Sequence, residues 1–561
     1  MVDQSSQNSD FAPARRWRLP RPDLWSVGAL LIAAMVLMPL VAVGWIALTP
    51  RENIWPHLVA TTLPRYLGNS LILMFAVGLG SALIGTGAAW LVVMTRFPLR
   101  KHLDWALLMP LAIPAYIGAY ALVDLLEYAG PVQTGLRSLF GWTDARDYWF
   151  PEIRSLPSAC LVLTLSLYPY VYLLARAAFR EQSVCALEVS RALGCGPVAS
   201  FLRVALPLAR PAIAAGAAIA MMETLNDFGT VDYFAVQTLT TGIFTTWLES
   251  YNAGGAAQIA CVMLTLVLLL AALERVSRRN RRFHQTSKRV RPIEGTDLTG
   301  WRAALALVAC LLPVLAGFVL PVGVILNHAL SHLDAWADPA LWRAGLHTLG
   351  LGLATAAVTV LAALFMVYGV RQSGRRLPRL LMPVTTIGYA APGAVLAIGI
   401  LIPFAALDHR VADLIEGTFG VDPGLLLTGS AAAMVLAYVV RFFAIGQGAV
   451  DSAMGRVTPS MDMAARSLGR GRMGALAEVH VPLIRGSVAT AVLLIFVDTT
   501  KELPATLILR PFNFDTLATR VYGQASLENL GAASPAALAV ILVGLLPVLL
   551  LIYSARTSWR R

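Results

Sequence analysis

The sequence predicts an all-α integral membrane protein with twelve transmembrane helices in two six-helix pseudo-repeats. Three observations carry that prediction. Hydrophobic residues make up 57% of the 561 and charged residues only 14%, against about 25% charged in soluble domains, so most of the chain must lie in lipid. Apolar stretches of membrane-spanning length recur along the whole sequence. A polar stretch between two of them, Glu188–Pro211, returns later as Asp462–Arg485 in the same register. Gly194 and Gly469 are 275 residues apart, and so are Pro207 and Pro482. A repeat that keeps its register over about twenty residues means two copies of one structural unit.

Residues 1–23 form a polar and then basic tail containing Arg15, Arg16, Arg18 and Arg21. The apolar run that follows is too long for the core of a cleaved signal, so it is taken as a retained first span near 25–48. Further spans near 69–94, 103–125, 157–179, 209–232 and 253–273 complete a first half over residues 24–274. Pro110 and Pro114 fall inside the third span, where neighbouring helices can re-satisfy the freed backbone groups. A basic linker, 275–300, carries Arg275, Arg278, Arg279, Arg281, Arg282, Lys288, Arg289 and Arg291.

The second half, 301–555, repeats the plan with spans near 301–326, 345–369, 379–403, 424–446, 486–508 and 533–554, and residues 556–561 form a short tail. The loops at 327–344 and 404–423 hold one arginine each, whereas the links after spans two and eight are basic. By the positive-inside rule both termini are expected in the cytoplasm. Six spans per half is an even number, so the halves share one orientation about an axis along the membrane normal. Leu107-Leu108-Met109-Pro110 recurs as Leu380-Leu381-Met382-Pro383, which extends the duplication beyond the polar stretch. The net charge of +12 is thus spread over cytoplasmic loops rather than gathered into a nucleic-acid face. The five cysteines include no C-x-x-C and imply no disulfide framework.

In the polar stretch Val198, Phe201, Leu202 and Ala205 recur at i, i+3, i+4 and i+7, and Met473, Leu476 and Ala477 hold the matching positions. This predicts a helix lying parallel to the membrane. Its apolar side must be covered by lipid, by the rest of the chain or by a partner. The R-x-L-G turn, with Pro-Leu starting thirteen positions after its glycine, resembles the EAA loop of bacterial ABC-transporter permeases. The resemblance implies a permease of the type I importer architecture, in which each loop docks one copy of a cytoplasmic ATPase. The implied coupling residues are Glu188, Arg191, Gly194 and Pro207 in the first loop and Asp462, Arg466, Gly469 and Pro482 in the second. Met463 stands where the first loop has Glu188, so either the second loop grips its ATPase less or Asp462 substitutes. The chain has no G-x-x-x-x-G-K-[ST] phosphate loop. It is therefore expected not to be an enzyme and to bind no cofactor of its own, with ATP and Mg held by the partner ATPase.

Spans five and eleven each contain two carboxylates at i, i+4: Glu223 and Asp227, then Asp498 and Glu502, again 275 apart. Ionised groups in the bilayer cost at least about 2.5–3.5 kcal/mol each on insertion scales. Two readings remain open. The four acids line a wet pathway for cargo and give a cation transient oxygen ligands, or they cap broken helices at Gly229 and Pro504, with Lys501 paired to Asp498 at i+3. Counted along the helix, they fall near the outer surface. Tyr116, Tyr120 and Tyr389 lie in spans three and nine, where packing roles are the ordinary expectation.

Lys501-Glu502-Leu503-Pro504-Ala505-Thr506, with the following Arg510-Pro511-Phe512-Asn513-Phe514-Asp515, is similar to the signature of ferric-iron ABC permeases. Asp227-Phe228-Gly229-Thr230-Val231 is similar to its first-half counterpart. The resemblance implies delivery of iron by a periplasmic binding protein. Thiamine and phosphonate permeases share the fused architecture and are the alternatives. An ion-coupled secondary transporter also fits twelve spans in parallel halves, but has no use for a duplicated cytoplasmic loop.

Overall fold

The computed structural model of the protein describes residues 24–182, 189–190, 192–279, 295–373 and 376–558. The chain is helical as expected. The long helices are α1 (Leu24–Leu48), α2 (Leu63–Met94), α3 (Ala115–Leu126), α4 (Leu156–Arg180), α5 (Leu206–Asn226), α6 (Ala253–Arg279), α7 (Gly300–Ser331), α8 (Pro339–Ser373), α9 (Gly393–Phe419), α10 (Ala432–Met454), α11 (Val481–Lys501) and α12 (Leu530–Ser558). Eleven are long and apolar enough to cross a membrane, and a bent pair that includes α3 supplies a twelfth span.

That bent span corrects the continuous helix expected over 103–125. Helical segments over 100–112 and 115–140 meet at 94°. The residue before a proline is pushed out of the helical region, and Ile113, ahead of Pro114, is extended at φ −101°, ψ 121°. The second half does the same at Ala391-Pro392, where Ala391 has φ −74°, ψ 127°. As a result α9 begins at Gly393, and most of the loop expected over 404–423 is helix. The buried Asp408 carboxylate holds the turn beyond it by accepting from the amides of Leu427 and Thr428.

Spans five and eleven also end early. They were expected to run to 232 and 508, but α5 stops at Asn226 and α11 at Lys501. Asp227 and Glu502 are extended, and short buried helices follow at Gly229–Tyr233 and Pro504–Leu509. Two further short helices open with the same capping box, Thr238 with Thr241 and Thr516 with Thr519. Each is tied to a long helix by one hydroxyl. Ser70 Oγ accepts from Leu239 N at 2.9 Å, and Thr348 Oγ1 accepts from Leu517 N at 2.8 Å. Leu239 and Leu517 are 278 residues apart, whereas the acids before them are 275 apart, so the second half carries three extra residues between Glu502 and Leu517.

The first helix of each half crosses to the other. α1 packs on α8 and α9 as well as α6. Trp25 stacks on Phe365 at 4.7 Å and meets Tyr368 edge-on at 5.2 Å. α7 in turn packs against α2, α3 and α12, and His328 Nε2 lies 2.9 Å from Asp124 Oδ2. A helix that is apolar all round carries no directional stripe, so this exchange had no signature in the sequence. Within the first half small residues allow close approach: a Cβ on Gly85 would stand 2.7 Å from Tyr172 N, and one on Gly216 2.7 Å from Val171 Cα. The central apolar core joins Leu225, Ile259 and Met263 to Ile398, Tyr438 and Ile495 across the two halves. A two-residue parallel pairing, Thr95–Arg96 with Thr296–Asp297, ties the end of the inter-half linker to the link after α2.

Candidate functional site

Where α5 breaks, Asp227 turns its carboxylate onto the start of the next helix. Oδ2 accepts from Thr230 N and Val231 N, both at 3.1 Å, and Oδ1 accepts from Thr230 Oγ1 at 2.8 Å. Glu502 does the same for Ala505 N at 3.1 Å and Thr506 N at 3.3 Å. A carboxylate at a helix N-terminus satisfies orphan amides and complements the helix dipole. Glu502 has a second partner, Arg441 of α10, whose Nη1 lies 2.9 Å from Oε1.

Glu223 and Asp498 sit one turn earlier and behave differently. Among the described residues neither carboxylate takes part in a hydrogen bond or an ion pair, and both face a cavity of about 190 Å³. Asp227 and Glu502 line the same cavity, so the structure brings all four predicted acids together. Tyr116 and Tyr389 line it as well, but Tyr120 does not. Tyr170, Asn226, Arg441 and Lys501 complete the polar wall. Among the described residues no three His, Cys, Asp or Glu side chains are grouped to hold a metal ion. The acids are spread around a chamber rather than gathered into a compact ligand set.

Lys501 does not pair with Asp498. Its Nζ donates to the carbonyl of Leu111 at 2.9 Å, in the break of the bent span of the other half. The chamber sits where α5 and α11 end. It is bordered by Leu163, Ser166, Leu167 and Tyr170, in the middle of α4. The chain beyond each broken helix folds back into the protein as a short buried helix. Sequence reasoning passed over Arg441, Tyr170 and Asn226. Arg441 carried a signal, since a lone arginine inside an apolar span marks a functional site by default.

The two polar stretches adopt matching elbows. In the first, Leu193 N donates to Val189 O and Cys195 N to Ser190 O; in the second, Leu468 N donates to Ala464 O and Arg470 N to Ala465 O. Gly194 and Gly469 both have φ +80°, the left-handed helix terminator that glycine adopts without a Cβ clash. After each glycine a new helix starts, passes a π-helical turn at Phe201–Ala205 or Leu476–His480, and runs unbroken into α5 or α11. Val198–Asn226 and Met473–Lys501 are thus single rods of 29 residues, with Pro207 and Pro482 just past the π turn.

This replaces the expected membrane-parallel helix over 198–205. Its predicted apolar face is divided. Ala205 is buried and Phe201 packs on Trp90 at 4.8 Å, while Val198 and Leu202 are exposed. At the turns themselves Leu193 is 78% exposed and Leu468 81%. Asp462 points inward: His480 Nε2 lies 3.1 Å from its Oδ1 and Gln372 Nε2 donates to its Oδ2 at 3.0 Å. Arg466 falls on the helix Pro459–Ser467. Glu188 and Arg191 lie outside the described residues.

Residues 81–283 match the family described as binding-protein-dependent transport system inner membrane component. The chain is 26% identical over 498 residues to the Fe(3+)-transport system permease protein FbpB 2 of Haemophilus influenzae, covering 86% of this chain and 89% of that protein. It is 21% identical over 533 residues to the ferric transport system permease protein FbpB of Actinobacillus pleuropneumoniae, covering 88% and 73%. A shorter relative, the molybdenum transport system permease protein ModB of Escherichia coli, aligns over 187 residues at 26% identity, 32% of this chain and 78% of that protein.

Proposed function

We propose, from the premise that this chain belongs to the inner-membrane permeases of binding-protein-dependent transport systems, that it is the fused, two-half translocation subunit of an ATP-driven importer of ferric iron. Two copies of a cytoplasmic ATPase would dock on the two elbows, and a periplasmic binding protein would deliver iron from the other side. Both termini would then be cytoplasmic, and nucleotide with its magnesium would be held by the ATPase alone.

The observation that carries this reading is mechanical. Each elbow leads directly into the unbroken rod that carries one chamber acid, Val198–Asn226 with Glu223 and Met473–Lys501 with Asp498. At 1.5 Å per residue such a rod is about 44 Å long, and a displacement at the elbow is felt at the acid. The pair of left-handed glycines and the near-identical turn geometry suit two copies of one partner. Carboxylate and phenol oxygens are the ligands a hard cation prefers, which favours iron among the cargoes of fused permeases. Relatives with ferric names that cover both halves support the same choice.

The test is uptake of radioactive iron into proteoliposomes holding the permease, its ATPase and its binding protein. ATP-dependent uptake that survives collapse of the ion gradient is expected. Uptake that follows the gradient instead of ATP would identify a secondary transporter. Competition by thiamine or a phosphonate, with iron inert, would reassign the cargo.

A further inference from the structure

The chamber is built unequally by the two halves. At the position matching Arg441 in the 275-residue register the first half has Ser166, and at the position matching Lys501 it has Asn226. Both cations of the chamber therefore come from the second half. Backbone packing has been adjusted to fit. A Cβ on Gly393 would stand 2.3 Å from Glu502 Oε1 and 2.6 Å from Arg441 Nη1. A side chain at 393 would require the Glu502 and Arg441 side chains to shift. The residue after the matching Ile113-Pro114 break is Ala115, beside the smaller Ser166 and Asp227. Gly393, Arg441 and Glu502 thus form one matched set, and Ala115, Ser166 and Asp227 another.

The neutral groups divide the same way. Asn226 is 6% exposed and Tyr116 5%, and both line the chamber. Asn226 Oδ1 and Tyr116 Oη have no hydrogen-bond partner among the described residues. Buried polar atoms are rarely left unpaired, and an oxygen-seeking ligand would satisfy Asn226 Oδ1. Glu223, on the same half, lines the chamber and makes no hydrogen bond or ion pair among the described residues.

Resting on the reading of the chamber as the cargo route, we infer that the chamber receives a multivalent, oxygen-seeking cation asymmetrically, on the first-half groups Glu223, Asn226 and Tyr116 together with Asp498, and that Arg441 is the built-in counter-ion that withholds Glu502 and limits how tightly the cation is held. A transport chamber must release what it binds. Four uncompensated carboxylates around a trivalent ion would trap it, since unlike charges a few ångströms apart in a medium poorer than water attract by several kcal/mol. Arg441 lowers that attraction from a fixed position and leaves two acids available.

The experiment is a titration of the full chain with its ATPase, in lipid nanodiscs, with Tb³⁺, a trivalent oxygen-seeking probe whose luminescence is excited through nearby tyrosines. Glu223→Gln should weaken binding by about tenfold or more. The combined change Gly393→Ala, Arg441→Ser, Glu502→Asp gives the second half the set that already packs in the first. It removes one positive charge and should tighten Tb³⁺ by about tenfold while slowing iron release in the uptake assay. The converse set, Ala115→Gly, Ser166→Arg, Asp227→Glu, adds a counter-ion and should weaken Tb³⁺ to a similar degree. Affinity unchanged by Glu223→Gln, or shifted the wrong way by whichever exchanged set assembles, would overturn the inference. ATP-dependent iron uptake by the unaltered complex is read separately, so loss of the inference and loss of the proposed function give different results.

Discussion

Lys501 Nζ, from the last turn of α11, donates across the interface between the halves to the carbonyl of Leu111 at 2.9 Å. That carbonyl lies where the bent span breaks, so it has lost part of its own ladder. The lysine closes the break and fixes the end of the α11 rod to the opposite half. Lys501→Met keeps the length and removes the donor. It should lower stability by about 1.5–3 kcal/mol, the usual worth of a charge-assisted bond, read as a fall in melting temperature in detergent. An arginine at 501 should recover part of the loss. Equal melting temperatures for all three would show that the contact contributes nothing.

The four acids should separate into two classes. Glu223→Gln and Asp498→Asn alter groups that face the chamber and make no hydrogen bond or ion pair among the described residues, so they should cut iron uptake by about tenfold or more while the protein melts normally. Asp227→Ala removes a cap that serves two amides and a hydroxyl. It should cost about 1 kcal/mol of stability or more, and Asp227→Asn should cost less. Four variants with the same pattern of uptake and melting would argue against the division.

Gly194 and Gly469 stand at φ +80°, where a β-branched residue is strained by roughly 1–2 kcal/mol. Gly194→Val and Gly469→Val should each distort one elbow. Single variants are expected to retain one ATPase copy and the double variant none, measured by co-purification and mass photometry. Full retention by the double variant would place ATPase docking elsewhere.

Ser70 and Thr348 perform the same task in the two halves, each accepting from the first amide of a short helix. Ser70→Ala and Thr348→Ala should each cost about 1 kcal/mol. Because they share no partner, the double variant should be additive to within about 0.5 kcal/mol. A larger coupling, measured in a double-mutant cycle of thermal stability, would mean that the two ties act as one unit.

α1 packs on α8 and α9, with Trp25 on Phe365. Halves expressed as two separate chains, divided within the linker, should therefore associate. Trp25→Ala should weaken the association, as loss of a buried aromatic costs about 3–5 kcal/mol. Two halves that purify apart, each monomeric, would contradict the exchange.

The sequence by itself determined the membrane class, the duplication and its 275-residue register, the elbows with their glycines, and the four acids. These rest on local composition and on spacing within one helix, which the chain carries openly. Tertiary structure decided where the helices break, that α1 and α7 change halves, and which acid does what. Glu223 and Asp227 differ by one turn of one helix. Only the fold makes one a cap and leaves the other facing the chamber, because the cap needs the amides of a helix that starts after the break. Arg441 shows the same limit. Its charge was visible in span ten, but its meaning depends on Glu502, sixty-one residues away, and on a glycine at 393 that makes space for both. Burial and pairing are properties of what surrounds a residue, and in a uniformly apolar chain the neighbours on the page are not the neighbours in space.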